Sequence, residues 1–162
     1  MKPIIYTEGD ATRPQASGPL IIAHVCNDIG AWGAGFVLAI SRCWKSPEKH
    51  YRQWARGQIE SAPPFALGEV QFVPVDETIT VANMVAQHDI RSDCGLPPIR
   101  YDALDKALEK LGTHALHLGT SVHMPRIGCG LAGGTWSKVE PMLLSHLSQR
   151  DVQVTVYDFS PV

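Results

Sequence analysis

The sequence predicts an α/β fold, a layered domain built around a mostly parallel sheet. Short runs rich in β-branched residues alternate with segments whose apolar residues recur at helical spacing, and glycine-rich connections join several of them. The chain has 162 residues, of which 44% are hydrophobic. A chain of this length buries roughly 70% of its unfolded surface, so neither disulfides nor a metal ion is needed for stability. We therefore expect one domain over residues 1–162.

The first 58 residues contain two predicted strands followed by two predicted helices. The strands, PIIYTE at 3–8 and PLIIAHVC at 19–26, are β-branched runs bounded by glycine, proline or polar residues. A glycine-rich connection then leads into FVLAISRCW at 36–44, whose apolar residues recur at helical spacing. Pro47 ends this helix, and the more polar segment PEKHYRQWARGQ at 47–58 is predicted to form the next one.

The middle of the chain is predicted to form a β-hairpin, a loop and a long helix. EVQFVPV at 69–75 and ITVANMV at 79–85 are the two strands of the hairpin. Segment 86–99 contains a glycine and two prolines and has no periodicity, which is typical of a loop. One continuous apolar stripe predicts a helix over 100–119, with Gly119 as its C-cap.

The last part of the chain is predicted to form a strand, a helix and a final strand. SVHMP at 121–125 and VQVTVYDF at 152–159 are the strands. The helix, over 137–150, opens with a Ser-x-x-Glu capping box that starts at Ser137. Pro141 then falls in the first turn, where proline is tolerated.

Composition and charge exclude several classes of protein. The formal net charge is −2 with both signs interspersed, so we expect no non-specific nucleic-acid binding. Cys26, Cys43, Cys94 and Cys129 lack Cys-x-x-Cys spacing and the histidines form no His-Glu-x-x-His pair, so we expect reduced thiols, no metal site and no cofactor. The N-terminus is too polar for a signal peptide, and no apolar run reaches membrane-spanning length. We therefore expect a cytoplasmic protein that does not associate with membranes.

Two segments each run from a predicted strand through a glycine-rich loop into a predicted helix. They are VCNDIGAWGAGF at 25–36 and MPRIGCGLAGGTW at 124–136. In α/β proteins ligands bind at the carboxyl ends of the strands, where glycine permits close approach and helix N-termini attract anions. Two such loops on one sheet edge could hold the two phosphates of a diphosphate. The alternative is that these glycines only form tight strand-to-helix turns.

Neither glycine-rich loop carries a common nucleotide-binding motif. No Gly-Lys-Ser or Gly-Lys-Thr follows either loop, and neither has Gly-x-Gly-x-x-Gly at the Rossmann spacing. Arg126 is the only basic residue in the two loops. The loops therefore favour a diphosphate of modest charge over a triphosphate with magnesium.

Four segments together resemble a macrodomain, the ADP-ribose-binding module. They are EGDAT, IIAHVCNDIGAWGAGFVLAI, VANMVAQHDI and MPRIGCGLAGGTW, which follow in the family's order over nearly the whole chain. The resemblance is greatest to the branch that contains terminal ADP-ribose protein glycohydrolase and the ADP-ribose-1''-phosphate phosphatases. It implies a three-layer α/β/α fold with a mixed, mostly parallel six-stranded sheet, and an ADP-ribose cleft at the carboxyl edge of that sheet.

The resemblance also implies which residues contact ADP-ribose. They are Asp10, Ala11, Asn27, Trp32, Gly33, Ala34, Gly35, Phe36, Gln87, Arg126, Ile127, Gly128, Cys129, Gly130, Leu131 and Ala132. Asp10 matches the aspartate that accepts a hydrogen bond from the adenine amino group, and its alternative role is to cap a turn. Asn27 matches the asparagine beside the distal ribose, and holding its own turn is a compatible role. Trp32 is either a wall of the pocket or a packed cap on the sheet.

Two residues with reactive side chains are not expected to act in catalysis. Cys129 lies in the second loop, but the sequence pairs it with no base that would activate a thiol nucleophile. His24 lies inside an apolar strand, where a histidine is usually a hydrogen-bonded core residue.

The chain departs from this branch at the catalytic positions. The glycohydrolase uses a lysine nucleophile and an aspartate acid–base group, and the loosely aligned residues here are Gln87 and Ala132. Glutamine cannot form a Schiff base and alanine cannot transfer a proton. Hydrolysis would instead require a positioned water, as in many macrodomains. The candidates to orient or activate that water are Asn27, Asp28, His88 and Asp89.

The resemblance leaves three functions open. The first is hydrolysis of ADP-ribosyl ester linkages on acidic side chains of modified proteins. The second is a reader that binds ADP-ribose without turnover, which the missing catalytic groups favour. The third is dephosphorylation of ADP-ribose-1''-phosphate. We favour the hydrolase, because the ribose-side residues exceed what adenine and diphosphate recognition requires. The expected partners are ADP-ribose and ADP-ribosylated proteins, and we expect a monomer.

Overall fold

The computed structural model describes residues 1–92 and 94–159. Within them the chain forms six strands and four α-helices. The strands are β1 Ile5–Glu8, β2 Leu20–Asn27, β3 Val70–Pro74, β4 Ile79–Gln87, β5 Ser121–Met124 and β6 Val154–Asp158. The helices are α1 Phe36–Cys43, α2 Ser46–Ala55, α3 Tyr101–Leu118 and α4 Trp136–His146. None of these helices has both the length and the apolar composition that a bilayer span requires.

The strands form one mixed sheet in the order β1-β6-β5-β2-β4-β3. All neighbouring strands are parallel except β3, which pairs antiparallel with β4 at one edge. The predicted mixed, mostly parallel six-stranded sheet is therefore confirmed. Because five strands point the same way, their carboxyl ends meet at one edge of the sheet. β2 lies between β5 and β4 and ends at that edge with Asn27.

Helices cover both faces of the sheet. Ile21 and Ala23 of β2 face the core formed with α3 and α4, whereas Ile22 and Cys26 face the core formed with α1 and α2. Successive side chains of a strand point to opposite faces, and β2 is an almost continuous apolar run because both faces are buried. The three-layer α/β/α architecture is thus confirmed, and it holds the carboxyl end of β2 rigidly.

Most predicted elements are found close to their predicted positions. The β3–β4 hairpin turns at Asp76, whose Oδ1 accepts hydrogen bonds from the N–H groups of Thr78 and Ile79. Gly119 caps α3 in the left-handed conformation, as predicted.

Two local predictions are wrong. β4 is predicted to end at residue 85 but continues to Gln87. It is longer because the segment around Pro98 runs back beside its end, where the His88 N–H donates to the Pro98 carbonyl at 2.8 Å. α4 begins one residue early, with Thr135 as N-cap and no side-chain cap, because Glu140 accepts a hydrogen bond from the Tyr6 hydroxyl instead of closing a capping box. Pro141 is consequently inside the helix rather than in its first turn.

Candidate functional site

The two glycine-rich loops face each other across a cleft at the carboxyl edge of the sheet. The first loop, 28–35, leads from β2 to α1, and the second loop, 125–135, leads from β5 to α4. At Gly35, with φ of +83°, a Cβ atom would lie only 3.4 Å from Leu131 Cδ1. A backbone position that combines a positive φ with such a close contact favours glycine. The cleft consists of three adjoining cavities that share lining residues, and we call them the Tyr157, central and Trp32 cavities.

The Tyr157 cavity, of about 290 Å³, contains Asp10, the residue predicted to contact adenine. Asp10 and Ala11 line it together with Phe36. Asp10 Oδ1 accepts hydrogen bonds from the Thr12 N–H at 2.9 Å and the Thr12 hydroxyl at 2.6 Å. One carboxylate oxygen therefore holds the turn, as the alternative role required, and the adenine contact stays a prediction for the other.

The sequence analysis missed two aromatic residues of the Tyr157 cavity, Tyr157 and Phe159. The Tyr157 hydroxyl lies 2.7 Å from His123 Nδ1, and both residues are buried. Burial lowers the pKa of His123 to about 4 and raises the pKa of Tyr157. The sequence does contain a pattern that indicates them: in Tyr157-Asp158-Phe159, at the carboxyl end of β6, the two aromatic residues are two positions apart and so lie on one side of the sheet.

The central cavity, also of about 290 Å³, is lined by both glycine-rich loops. Among the described residues, the N–H groups of Gly130, Leu131 and Ala132 have no hydrogen-bond acceptor, and neither do those of Phe36 and Val37 in the first turn of α1. Free N–H groups at a loop and at a helix N-terminus attract an anion without any formal charge. The arrangement therefore fits the predicted phosphate site.

The glycines of the second loop serve different purposes. At Gly128, which has φ of +74°, a Cβ atom would lie 2.9 Å from Ile99 Cδ1 in the core. At Gly130 a Cβ atom would meet nothing within 4 Å. A side chain at position 128 would consequently disturb the fold, whereas one at position 130 would occupy open space beside the central cavity.

Arg126 and Cys129, both predicted ligand contacts, differ in their surroundings. Arg126 lines the central cavity but donates from Nε to Asp158 Oδ1 at 2.6 Å and from Nη2 to Asp158 Oδ2 at 3.0 Å. This ion pair holds the pKa of Asp158 below its usual range. The guanidinium of Arg126 is thus bound to Asp158, which does not line the cavity. Cys129 is half-buried, and burial raises the pKa of its thiol, which is unfavourable for a nucleophile.

The Trp32 cavity, of about 450 Å³, is the one predicted to hold the distal ribose. Gly33, Ala34 and Gln87 line it, and Gln87 Nε2 donates to the Asp89 carbonyl at 2.9 Å. Trp32 also lines it, although it is only 4% exposed and donates from Nε1 to Ser41 Oγ at 2.8 Å. Trp32 is therefore both a cavity wall and a packed cap.

Asn27 lines the Trp32 cavity, but its amide group holds the first loop. Its Oδ1 accepts hydrogen bonds from the N–H groups of Ile29 and Ala31, at 3.1 and 3.0 Å, and from the Tyr51 hydroxyl at 2.8 Å. Its Nδ2 donates to the Ala31 carbonyl at 2.7 Å. The sequence analysis missed Tyr51, which also donates to the Asn27 carbonyl at 2.6 Å. Asn27 thus fixes the loop that forms one wall of the cavity.

The other three candidate catalytic residues form a separate group. His88 Nδ1 lies 2.7 Å from Asp28 Oδ2, and Asp28 Oδ1 accepts a hydrogen bond from the Asp89 N–H at 2.8 Å. The Asp89 carboxylate in turn accepts a hydrogen bond from the Ile90 N–H. None of the three lines a cleft cavity. Their side chains therefore hydrogen-bond to one another and to the backbone beside the cleft, and their role in activating water stays a prediction.

The lining of the Trp32 cavity contains no group that titrates near neutral pH. Among the described residues it includes no carboxylate, histidine or lysine. Cys26 is present, but burial raises its thiol pKa well above the usual value. His24, on the same strand, is buried with Nε2 2.6 Å from Asn83 Oδ1, and burial lowers its pKa to about 4. His24 is therefore the core histidine that was expected.

Comparison with curated proteins gives three informative relatives, and no family model matches the chain. Mouse "Chromodomain-helicase-DNA-binding protein 1-like" is 33% identical over 165 residues, which cover 96% of this chain and 18% of that protein. This chain therefore spans about one fifth of that relative. Human "ADP-ribose glycohydrolase OARD1" is 41% identical over 58 residues, covering 35% of this chain and 38% of that protein. An "ADP-ribose 1''-phosphate phosphatase" from Meyerozyma guilliermondii is 25% identical over 97% of this chain and 99% of that protein.

Two solved structures match over almost the full length of the chain. A protein of unknown function from Bacteroides thetaiotaomicron is 52% identical with a TM-score of 0.92, covering 97% of this chain and 98% of that chain. A macrodomain protein from Streptomyces coelicolor is 50% identical with a TM-score of 0.85, covering 98% of this chain and 100% of that chain. On this full-length similarity in sequence and structure, the chain belongs to the macrodomain family.

Proposed function

We propose that the chain binds ADP-ribose in the cleft and hydrolyses ADP-ribosyl ester linkages on acidic side chains of modified proteins. The observation that carries the proposal is the central cavity, which has free N–H groups from the second loop and from the first turn of α1, and an adjoining cavity at each end. A diphosphate in the centre would direct adenine into the Tyr157 cavity and the distal ribose into the Trp32 cavity. Preformed clefts with a few convergent donors are typical small-molecule sites.

The comparisons support the same ligand class. The names of the human and Meyerozyma guilliermondii relatives describe an ADP-ribose glycohydrolase and an ADP-ribose 1''-phosphate phosphatase. Both reactions take place at the distal end of an ADP-ribose unit. We therefore assign this chain an ADP-ribose derivative as ligand, with the reacting bond at the Trp32 cavity.

The proposed reaction is attack by a positioned water on the anomeric carbon of the distal ribose. The bond from that carbon to the ester oxygen breaks, and the acceptor leaves as a carboxylate. Because the described residues that line the Trp32 cavity include no acid or base, the water proton would pass to the substrate's own diphosphate. A carboxylate is a good leaving group, so orientation without a protein acid is sufficient.

The residues of this chain contribute by fixing geometry. Asn27 holds Ile29 and Ala31, so the loop wall stays in place against the ribose. Trp32, packed against Tyr51 with ring centroids 5.4 Å apart, excludes solvent from the opposite wall. The loop N–H groups hold the diphosphate and with it the whole substrate.

A reader without turnover is the second candidate, and a specific observation favours it. The described residues that line the Trp32 cavity include no acid or base, so this cavity suits a ribose that is only bound as well as one that reacts. The two candidates share the binding step and differ only in turnover.

A panel of linkages tests the proposal. The protein is incubated with glutamate-linked and serine-linked ADP-ribosylated substrates and with ADP-ribose-1''-phosphate, and free ADP-ribose and phosphate are followed over time. We expect ADP-ribose release from the glutamate-linked substrate alone, because the serine-linked O-glycoside would have to expel an alkoxide, a far poorer leaving group than a carboxylate. If no substrate releases ADP-ribose or phosphate faster than in buffer alone, the protein is a reader that binds ADP-ribose without turnover. Release of phosphate would identify a phosphatase.

A further inference from the structure

A second cavity lies on the other side of the second loop from the cleft. Its volume is about 690 Å³, larger than each of the three cleft cavities. Apolar residues form part of its lining, among them Leu67, Leu96 and Pro97. Lys106 of α3 and Lys138 of α4 line it as well. We call it the basic cavity.

The basic cavity carries an excess of positive charge. Among the described residues that line it, Arg100, Lys106 and Lys138 face one carboxylate, that of Asp102, which gives these residues two positive charges in excess. Neither lysine forms an ion pair among the described residues. Lys110, one turn further along α3, contrasts with them because it pairs with a glutamate carboxylate at 2.7 Å.

The backbone adds to this positive field. The helices α3 and α4 both begin at the basic cavity, where Tyr101 and Thr135 line it, and neither helix has a side-chain cap. The N-terminus of a helix carries a partial positive charge. Arg100 donates from Nη1 to the Pro97 carbonyl at 2.6 Å, so its charge is fixed at the rim of the cavity.

The basic cavity and the cleft share one loop. Gly133 lines the basic cavity, whereas Leu131 and Ala132 line the cleft. The Gly133 N–H donates to the Gly130 carbonyl at 3.0 Å, and the Ile99 N–H donates to the Ala132 carbonyl at 3.0 Å. A polypeptide whose modified side chain enters the Trp32 cavity could therefore reach the basic cavity by crossing a single turn of chain.

We propose that the basic cavity docks an acidic stretch of the polypeptide substrate, close to its ADP-ribosylated side chain. This inference rests on the proposed function and adds a sequence preference to it. Two lysines that form no ion pair with any residue the structure describes, at a partly apolar cavity, fit carboxylate side chains with methylene stems. A nucleic acid would need a continuous basic track for its regular phosphates, and the chain has a net charge of −2.

Direct binding of an unmodified acidic peptide tests this docking without any catalysis. The probe is a short fluorescein-labelled peptide of alternating glutamate and serine, followed by fluorescence anisotropy at low ionic strength. We expect binding that weakens about tenfold in the double variant Lys106→Glu/Lys138→Glu and with rising salt. The matched control is Lys45→Glu/Lys49→Glu, which makes the same charge change at two exposed positions at the start of α2, on the opposite face of the sheet.

Each outcome of the anisotropy experiment decides the proposal. Peptide binding that is absent, or equal in wild type and the double variant, overturns it. An oligothymidylate that binds more tightly than the peptide, and depends on Lys106 and Lys138, also overturns it in favour of a nucleic acid. Unfolding curves verify that the surface substitutions leave the fold intact.

Steady-state kinetics separate docking from the proposed reaction. For a glutamate-linked ADP-ribosylated acidic peptide, we expect the Lys106→Glu/Lys138→Glu variant to raise KM about tenfold and to leave kcat unchanged. For the ADP-ribosyl ester of free glutamate, which cannot reach the basic cavity, both constants should equal those of wild type. If wild type hydrolyses neither substrate, the proposed reaction fails, while the anisotropy result still decides the docking.

Discussion

Replacing Asn27 with alanine tests whether this side chain acts by holding the first loop. The substitution removes the hydrogen bonds from Ile29 N–H, from Ala31 N–H and to the Ala31 carbonyl. The Tyr51 hydroxyl loses its 2.8 Å bond to Oδ1 but stays hydrogen-bonded to the Asn27 carbonyl at 2.6 Å, so it is not left without an acceptor and is not counted among the three lost bonds. At about 1 kcal/mol for each of the three lost bonds, the free energy of unfolding should fall by about 3 kcal/mol. Turnover should fall by about tenfold to a thousandfold through lost positioning, while ADP-ribose affinity falls far less.

Urea unfolding, calorimetric titration of ADP-ribose and ADP-ribose release from a glutamate-linked substrate measure these three quantities. Asn27→Asp is a second variant, which keeps an acceptor at Oδ1 but replaces the Nδ2 donor with a carboxylate oxygen that faces the Ala31 carbonyl. Because these two oxygens repel each other, it should also fall below wild type in stability and in turnover. An alanine variant with wild-type stability and wild-type turnover would refute the loop-holding role of Asn27. The candidates to orient or activate the water would then be Asp28, His88 and Asp89.

Three further predictions concern adenine, salt and pH. Asp10→Ala should weaken ADP-ribose binding by about 1.5 to 3 kcal/mol in calorimetry, the contribution of a hydrogen bond to a charged group, whereas normal binding would show that Asp10 only holds its turn. ADP-ribose affinity should depend weakly on salt, because the central cavity offers N–H groups and Arg126 is paired with Asp158; a steep loss between low and moderate ionic strength would contradict this. His24 and His123, each with a pKa lowered to about 4, are neutral in the fold, so the unfolded state binds more protons between about pH 6.5 and pH 4. The free energy of unfolding should consequently decrease as the pH is lowered across that window, by about 1.4 kcal/mol per pH unit for each histidine. In His123→Gln, the free energy of unfolding from urea titrations should depend less steeply on pH. An unchanged pH dependence would contradict the assignment.

The fold and the glycine-rich loops were predictable because they rest on local signals. The apolar stripe of α3, the β-branched runs and the loop glycines each constrain the backbone within a few residues. The capping box at Ser137 was local as well, yet it is wrong because Glu140 bonds to Tyr6 on a distant strand. Tertiary partners of this kind override local preference.

The site was predictable in its residues and less so in their roles. The resemblance names Asp10, Asn27 and the two loops, all of which line one cleft, and their contacts with ADP-ribose stay predictions. It could not show that the Asn27 amide is engaged by its own loop, because that depends on the path of the loop. Tyr157 was missed because an aromatic residue in a buried strand is usually part of the core.

ADP-ribose titration into wild type and Gly130→Val, followed by calorimetry, tests most directly whether the cleft is the ligand site. Gly130 lines the central cavity, and a Cβ atom there would meet no protein atom within 4 Å, so we expect valine to leave the fold intact while its methyl groups hinder the diphosphate. We expect micromolar binding by wild type, about −8 kcal/mol, and a loss of tenfold or more in the variant. Absence of binding by wild type at millimolar ADP-ribose, or equal binding by the folded variant, would contradict the assignment of the cleft.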